Sequence, residues 1–164
     1  MEGAFIQNAT DYAARNGLQL AERLGFGIHG IIFVAEDKSA GGKTAVKAHR
    51  ALEPFLREVS VYRRLQEAKV AEILGFHVPQ VFRSDEELRV IEMTIVTRPF
   101  VLDFAGAYLD ALPDFPEDVW AEWEAEKRDQ FDVRWPKVRT ILGALENFGI
   151  HMVDVSPSNI AFLD

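Results

Sequence analysis

The chain has 164 residues, 48% of them hydrophobic and 27% charged, with a net charge of −8 and no cysteine. That length buries one real core, so the chain reads as one globular unit, at most bilobed, rather than a disordered tail. The acidic balance excludes tight, non-specific attraction to nucleic acid or to an anionic membrane, and the lack of cysteine excludes disulfides and thiolate metal sites. The histidines at 29, 49, 77 and 151 are scattered, with no His-x-x-x-His pair, which argues against an imidazole metal site. Met1 to Phe5 has no basic leader, and no run is long enough to span a bilayer, so a soluble, cytoplasmic protein is expected.

Before about Asp103 the pattern is mostly strand. Thr10 to Asn16 suits a short helix closed by Gly17. Leu18 to Leu24 alternates and runs into three glycines; Ile31 to Ala35 is β-branched and aromatic; Thr44 to Lys47 follows after a polar loop. An antiparallel meander is predicted. A helix should then begin near Pro54, because Phe55, Val59, Tyr62 and Leu65 recur on one face. Two more strands, Val78 to Arg83 and Leu88 to Val96, flank the turn Ser84-Asp85-Glu86-Glu87.

After Asp103 the chain reads as helical. Pro116-Glu117-Asp118 makes a favourable first turn for a helix reaching about Gln130. A second helix starts near Pro136, with Val138, Ile141, Leu142, Leu145 and Phe148 on its apolar stripe and Gly149 at its end.

Four motifs carry candidate chemistry. Gly25, Gly27 and Gly30 form G-x-G-x-x-G, which two nucleotide-binding architectures share; the strand at Ile31 to Ala35 favours a loop between antiparallel strands, lying over phosphates. A ligand-free glycine hairpin is the alternative. Gly41-Gly42-Lys43-Thr44 imitates the end of a Walker loop, but the required first glycine falls at Asp37 and no helix follows. Lys47 ends Thr44-Ala45-Val46-Lys47, close to the V-A-I-K strand; alternation puts Ala45 and Lys47 on one face, the alanine for a flat base and the lysine for phosphates. Such a lysine needs an anion, and Glu58 beside the helix stripe is the first candidate, with Glu53 and Glu67 as alternatives. Asp154 and Asn159 have the Asp-x-x-x-x-Asn spacing of a phosphotransferase base and metal ligand, against the plainer reading of an Asx turn entering a strand.

Taken in order, these motifs resemble the protein-kinase-like superfamily, including its small-molecule and RIO-type branches, from about Leu18 to Asp164. The resemblance implies an α+β, kinase-like fold: residues 1–102 as a lobe with an antiparallel five-stranded sheet and one helix, residues 103–164 as a short, truncated helical lobe. It implies ATP as ligand, with Gly25, Gly27, Gly30, Ile32, Ala45 and Lys47 around it and a hinge at Ile91-Glu92-Met93-Thr94, whose backbone at Glu92 and Met93 faces adenine. Lys47 and Glu58 become an ion pair, Asp154 the catalytic aspartate and Asn159 the ligand for Mg²⁺.

Departures from that pattern shape the functional expectation. The Lys47 to Glu58 interval is short, Met152-Val153 replaces His-Arg before the aspartate, and no Asp-Phe-Gly follows Asn159. Asp164 is a poor substitute, since five strand residues at about 3.3 Å each carry it roughly 16 Å from Asn159. The expectation is an ATP-binding, kinase-like protein and weak phosphotransferase. The alternative is an inactive pseudokinase acting as an interaction module, completed by a protein partner or homodimer, with Trp120, Trp123 and the acidic Glu117, Asp118, Glu122, Glu124 and Glu126 as a docking helix. Filling of the helical core by those tryptophans is the plainer reading.

Overall fold

The computed structural model describes residues 2–164. It is an α+β protein built on a five-stranded antiparallel sheet in the order β1-β2-β3-β7-β6, from β1 (Leu18–Phe26), β2 (Gly30–Asp37), β3 (Lys43–His49), β6 (Val81–Asp85) and β7 (Val90–Met93). The predicted meander and the later strand pair are therefore one sheet, with β3 and β7 adjacent at its centre. The N-terminal helix α1 (Glu2–Arg15) is longer than the pattern suggested, and Gly17 after it holds φ +66°.

Alternation sorts the sheet into two faces. Val46, Ala48 and Val90 point towards α1, where they pack with Phe5, Ala9 and Tyr12. Ala45, Ile91 and Met93 point the other way, towards α2 (Leu52–Glu67), whose buried Phe55, Val61, Tyr62 and Leu65 form its stripe. Glu58 is buried within that stripe. A carboxylate in such a place demands partners.

The second half of the chain is less helical than its composition suggested. Helices α3 (Glu117–Phe131) and α4 (Trp135–Glu146) are present, but short strands intervene. Strand β8 (Phe100–Val101) pairs antiparallel with β11 (Ile160–Ala161), and β9 (Ala107–Leu109) with β10 (Ile150–Met152). Strand β8 also meets β5 (Phe76–His77), which pairs with β4 (Glu72–Ile73). These pieces of two or three residues are too short for the alternation that makes a strand legible, because burial rather than propensity sets them.

A single apolar cluster crosses residue 103, joining Phe55 and Val61 of α2 to Val138, Ile141 and Leu145 of α4. Gly149 closes α4 at φ +73°, where a Cβ would lie 2.5 Å from Asp110 Oδ1 and 2.7 Å from Arg64 Nη1. The backbone needs the left-handed region, and the Arg64–Asp110 pair needs the space.

Candidate nucleotide cleft

The β1–β2 hairpin, the cleft face of β3, the end of β7 and the β8–β9 connection enclose a cleft of about 390 Å³. That volume lies within the range of small-molecule sites. Ile32, Ala45 and Met93 supply apolar walls, and Lys47 with Glu58 and Asp103 supplies the charged floor.

The floor is a connected set of ions. Lys47 Nζ lies 2.7 Å from Glu58 Oε1 and 3.0 Å from Asp103 Oδ1, while His49 Nε2 lies 2.7 Å from the same Glu58 oxygen. The Phe104 N–H donates to Glu58 Oε2 at 2.8 Å. Burial opposes ionisation of Glu58, but the Lys47 charge and His49 outweigh it and pull the carboxyl down to about 2. Burial likewise opposes the Lys47 charge, yet Glu58 and Asp103 hold the ammonium above its ordinary range. Burial, then those same carboxylates, push the Tyr62 phenol well up.

Asp103 was missed by the sequence reasoning. It lies at φ +69°, a left-handed position that aspartate tolerates better than most residues, in the connection from β8 to β9. Its neighbours are clamped: the Leu102 N–H donates to the Asn159 carbonyl at 2.9 Å, the Phe104 ring sits edge-on to Tyr62 at 5.3 Å, and Arg57 Nε donates to the Ala105 carbonyl at 3.1 Å. The signal was present in Asp103-Phe104-Ala105-Gly106. It is an Asp-Phe-x-Gly segment lying upstream of the Asp154 loop instead of downstream of it.

The Asp154 loop borders the cleft, which it lines through Ser158 and not through Asp154 or Asn159. Asp154 is half exposed, with Oδ2 3.8 Å from His29 Nε2 on the glycine hairpin. A Cβ on Gly106 would stand 3.1 Å from Asp154 Cβ, so the glycine permits this approach. Asn159 braces the loop: Oδ1 accepts the Ser156 N–H at 2.7 Å and Nδ2 donates to the Asp154 carbonyl at 2.8 Å. Its oxygen retains one lone pair for a further contact. Asp164 lies elsewhere, exposed and 3.7 Å from Arg98.

The glycines divide by role. Gly30 packs on β3, where a Cβ would meet the Ala48 carbonyl oxygen at 2.1 Å. A Cβ on Gly27 would meet nothing within 4 Å, and one on Gly25 would meet only Ile32 Cδ1 at 3.6 Å. Ile32 and Ala45 line the cleft as the strand register predicts, and Met93 adjoins Thr94, Ile95 and Val96 along its wall.

The Glu92 carboxylate lies on the far face of the sheet, accepting from Tyr12 at 2.8 Å, Thr44 at 2.9 Å and Arg83 at 2.6 Å. Alternation along β7 requires this, since Met93 faces the cleft. Glu53 and Glu67 form no ion pair with Lys47. Trp123 is engaged within the chain, its indole N–H donating to the Val153 carbonyl at 2.9 Å and its ring set edge-on to Trp120 and Trp135.

A scan against protein-family models finds none that matches the chain, and a search of curated proteins finds no significant similarity. Among the described residues no helix is long and apolar enough to cross a membrane, and no group of three or more His, Cys, Asp or Glu side chains is arranged to hold a metal.

Proposed function

We propose that this chain is a kinase-like protein that binds ATP with Mg²⁺ in the cleft and transfers its γ-phosphoryl group slowly to an acceptor hydroxyl. The observation that carries the reading is the contact of Lys47 with both Glu58 and Asp103 beneath a glycine hairpin. A kinase-type phosphotransferase needs a lysine held on a helix glutamate, and a carboxylate beside it for the metal. Asp103 meets the second need, for which Asp164 is a poor candidate.

In this reading the base lies against Ile32, Ala45 and Met93, with the backbone from Thr94 to Val96 as its polar edge. The phosphates run beneath Gly25 and Gly27 towards Lys47, whose ammonium offsets their charge. The donor set suits magnesium, which is ordinarily held by one or two carboxylates together with substrate phosphates rather than by an all-protein cage. Asp103 and the spare lone pair of Asn159 would hold it. Bound there, it would neutralise charge on the phosphate oxygens.

Asp154 is the base. It accepts the acceptor's hydroxyl proton as that oxygen bonds to the γ-phosphorus and the bond to ADP breaks. His29, 3.8 Å from Asp154, brings the glycine hairpin over the reacting groups. The engagement of Trp123 inside the helical cluster gives no support to a docking helix there, so the nucleotide reading is preferred over the interaction-module one.

Photolabelling with an azido-ATP tests this proposal. Label competed away by ATP is expected on peptides of the β1–β2 hairpin or Met93 to Val96, and the absence of any competed label there would overturn it.

A further inference from the structure

His49 follows Lys47 by two residues on β3, so both side chains leave the same face of the strand. It is fully buried, with its ring edge-on to Phe55 at 5.5 Å between centroids. Both ring nitrogens face acceptors. Nδ1 lies 3.1 Å from the Arg89 carbonyl oxygen, and Nε2 lies 2.7 Å from Glu58 Oε1.

A carbonyl oxygen can only accept. Glu58 is also an acceptor, because its two oxygens already receive Lys47 Nζ at 2.7 Å and the Phe104 N–H at 2.8 Å. A neutral imidazole has one N–H, so one of the two contacts would set lone pair against lone pair in a buried site. An imidazolium satisfies both.

We propose that His49 is a positioning residue held as an imidazolium, which fixes the Glu58 carboxylate for Lys47 while anchoring the turn at Arg89.

Arg89 provides an independent observation. It sits at φ +54°, a region that non-glycine residues occupy at a cost, on the turn from β6 to β7. Its carbonyl accepts the His49 backbone N–H at 2.9 Å as well as facing the ring. Two donors from one residue hold the strained turn. The charged group in contact with the ring is Glu58 from α2, whose Oε1 also meets Lys47 on β3, with Asp103 reached through Lys47; Arg89 meets the ring through its backbone carbonyl. Every group belongs to the chain, so the inference stands whether or not ATP binds.

Ring-nitrogen NMR of the full chain, labelled with ¹⁵N-histidine at neutral pH, reads the protonation state directly. The expected spectrum contains one histidine with both nitrogens protonated, contacting Phe55 protons and missing from His49→Gln; those contacts assign it even if the variant fails to fold. An unprotonated nitrogen on the Phe55-contacting ring would overturn the proposal. A stability cycle of His49→Gln, Glu58→Gln and the double variant tests positioning: the double variant should lose about tenfold less in its unfolding constant than the two single losses combined. Additive losses would reduce His49 to a packing residue.

Discussion

Lys47 Nζ stands 3.0 Å from Asp103 Oδ1, joining the central strand of the sheet to the connection between β8 and β9. The two residues are far apart in sequence, and their meeting completes the charged floor of the cleft. In the proposed function this carboxylate, supplied by a segment that precedes the Asp154 loop, is the one that would hold magnesium. Asp103→Asn should therefore weaken ATP binding in the presence of magnesium at least tenfold and change magnesium-free binding little. Since Asp103 is partly open to the cleft, the fold should survive, and circular dichroism can verify it.

Replacing Lys47 by methionine leaves Glu58 buried with one cation fewer. Breaking a buried pair typically costs 3–5 kcal/mol, and the remaining His49 contact places this loss near the lower end, about 3 kcal/mol. Denaturant unfolding should show that loss; an unchanged midpoint and slope would contradict the ion-pair account.

Acid should expose the same cluster. Glu58 is drawn from 4.5 down to about 2 by Lys47 and His49 against the effect of burial. A depressed folded-state value means stabilisation that is fully present above about pH 4.5 and lost as pH falls towards 2. Stability measured across that window should fall in the wild type. Glu58→Gln, less stable at neutral pH, should show a shallower decline.

The glycine hairpin offers a paired comparison. Gly30→Ala forces a methyl into the Ala48 carbonyl and should cost about 1–3 kcal/mol. Gly27→Ala meets nothing and should leave the unfolding midpoint unchanged; in the proposed function it should weaken ATP binding, since the methyl would intrude where the phosphates would lie.

Long, periodic elements were legible in the sequence. The stripe of Phe55, Tyr62 and Leu65 located α2, and alternation in Thr44 to Lys47 put Ala45 and Lys47 on the cleft face. The same alternation, continued through β7, places the Glu92 side chain on the far face, which leaves its backbone as the part that the hinge expectation concerns. Asp103 was hidden by chain order and spacing: Asp-Phe-Gly was sought after Asn159, whereas β8 pairing with β11 brings an Asp-Phe-x-Gly segment from upstream. Two-residue strands carry no periodic signal, and only the tertiary pairing reveals them. His49 read as one scattered histidine until its two acceptors were seen together.

In the proposed function, phosphoryl transfer depends on Asp154. Asp154→Asn should retain ATP binding and lose about 10²–10⁴-fold in γ-phosphoryl transfer, followed with radiolabelled ATP. Transfer at the wild-type rate would remove Asp154 as the base.

Calorimetric titration of the chain with ATP, with and without magnesium, alongside Lys47→Met, tests the central claim most directly. The account predicts binding by the wild type, tighter with magnesium, and binding at least tenfold weaker in a folded Lys47→Met. No heat from the wild type in either condition, or identical affinity for the two proteins, would contradict it.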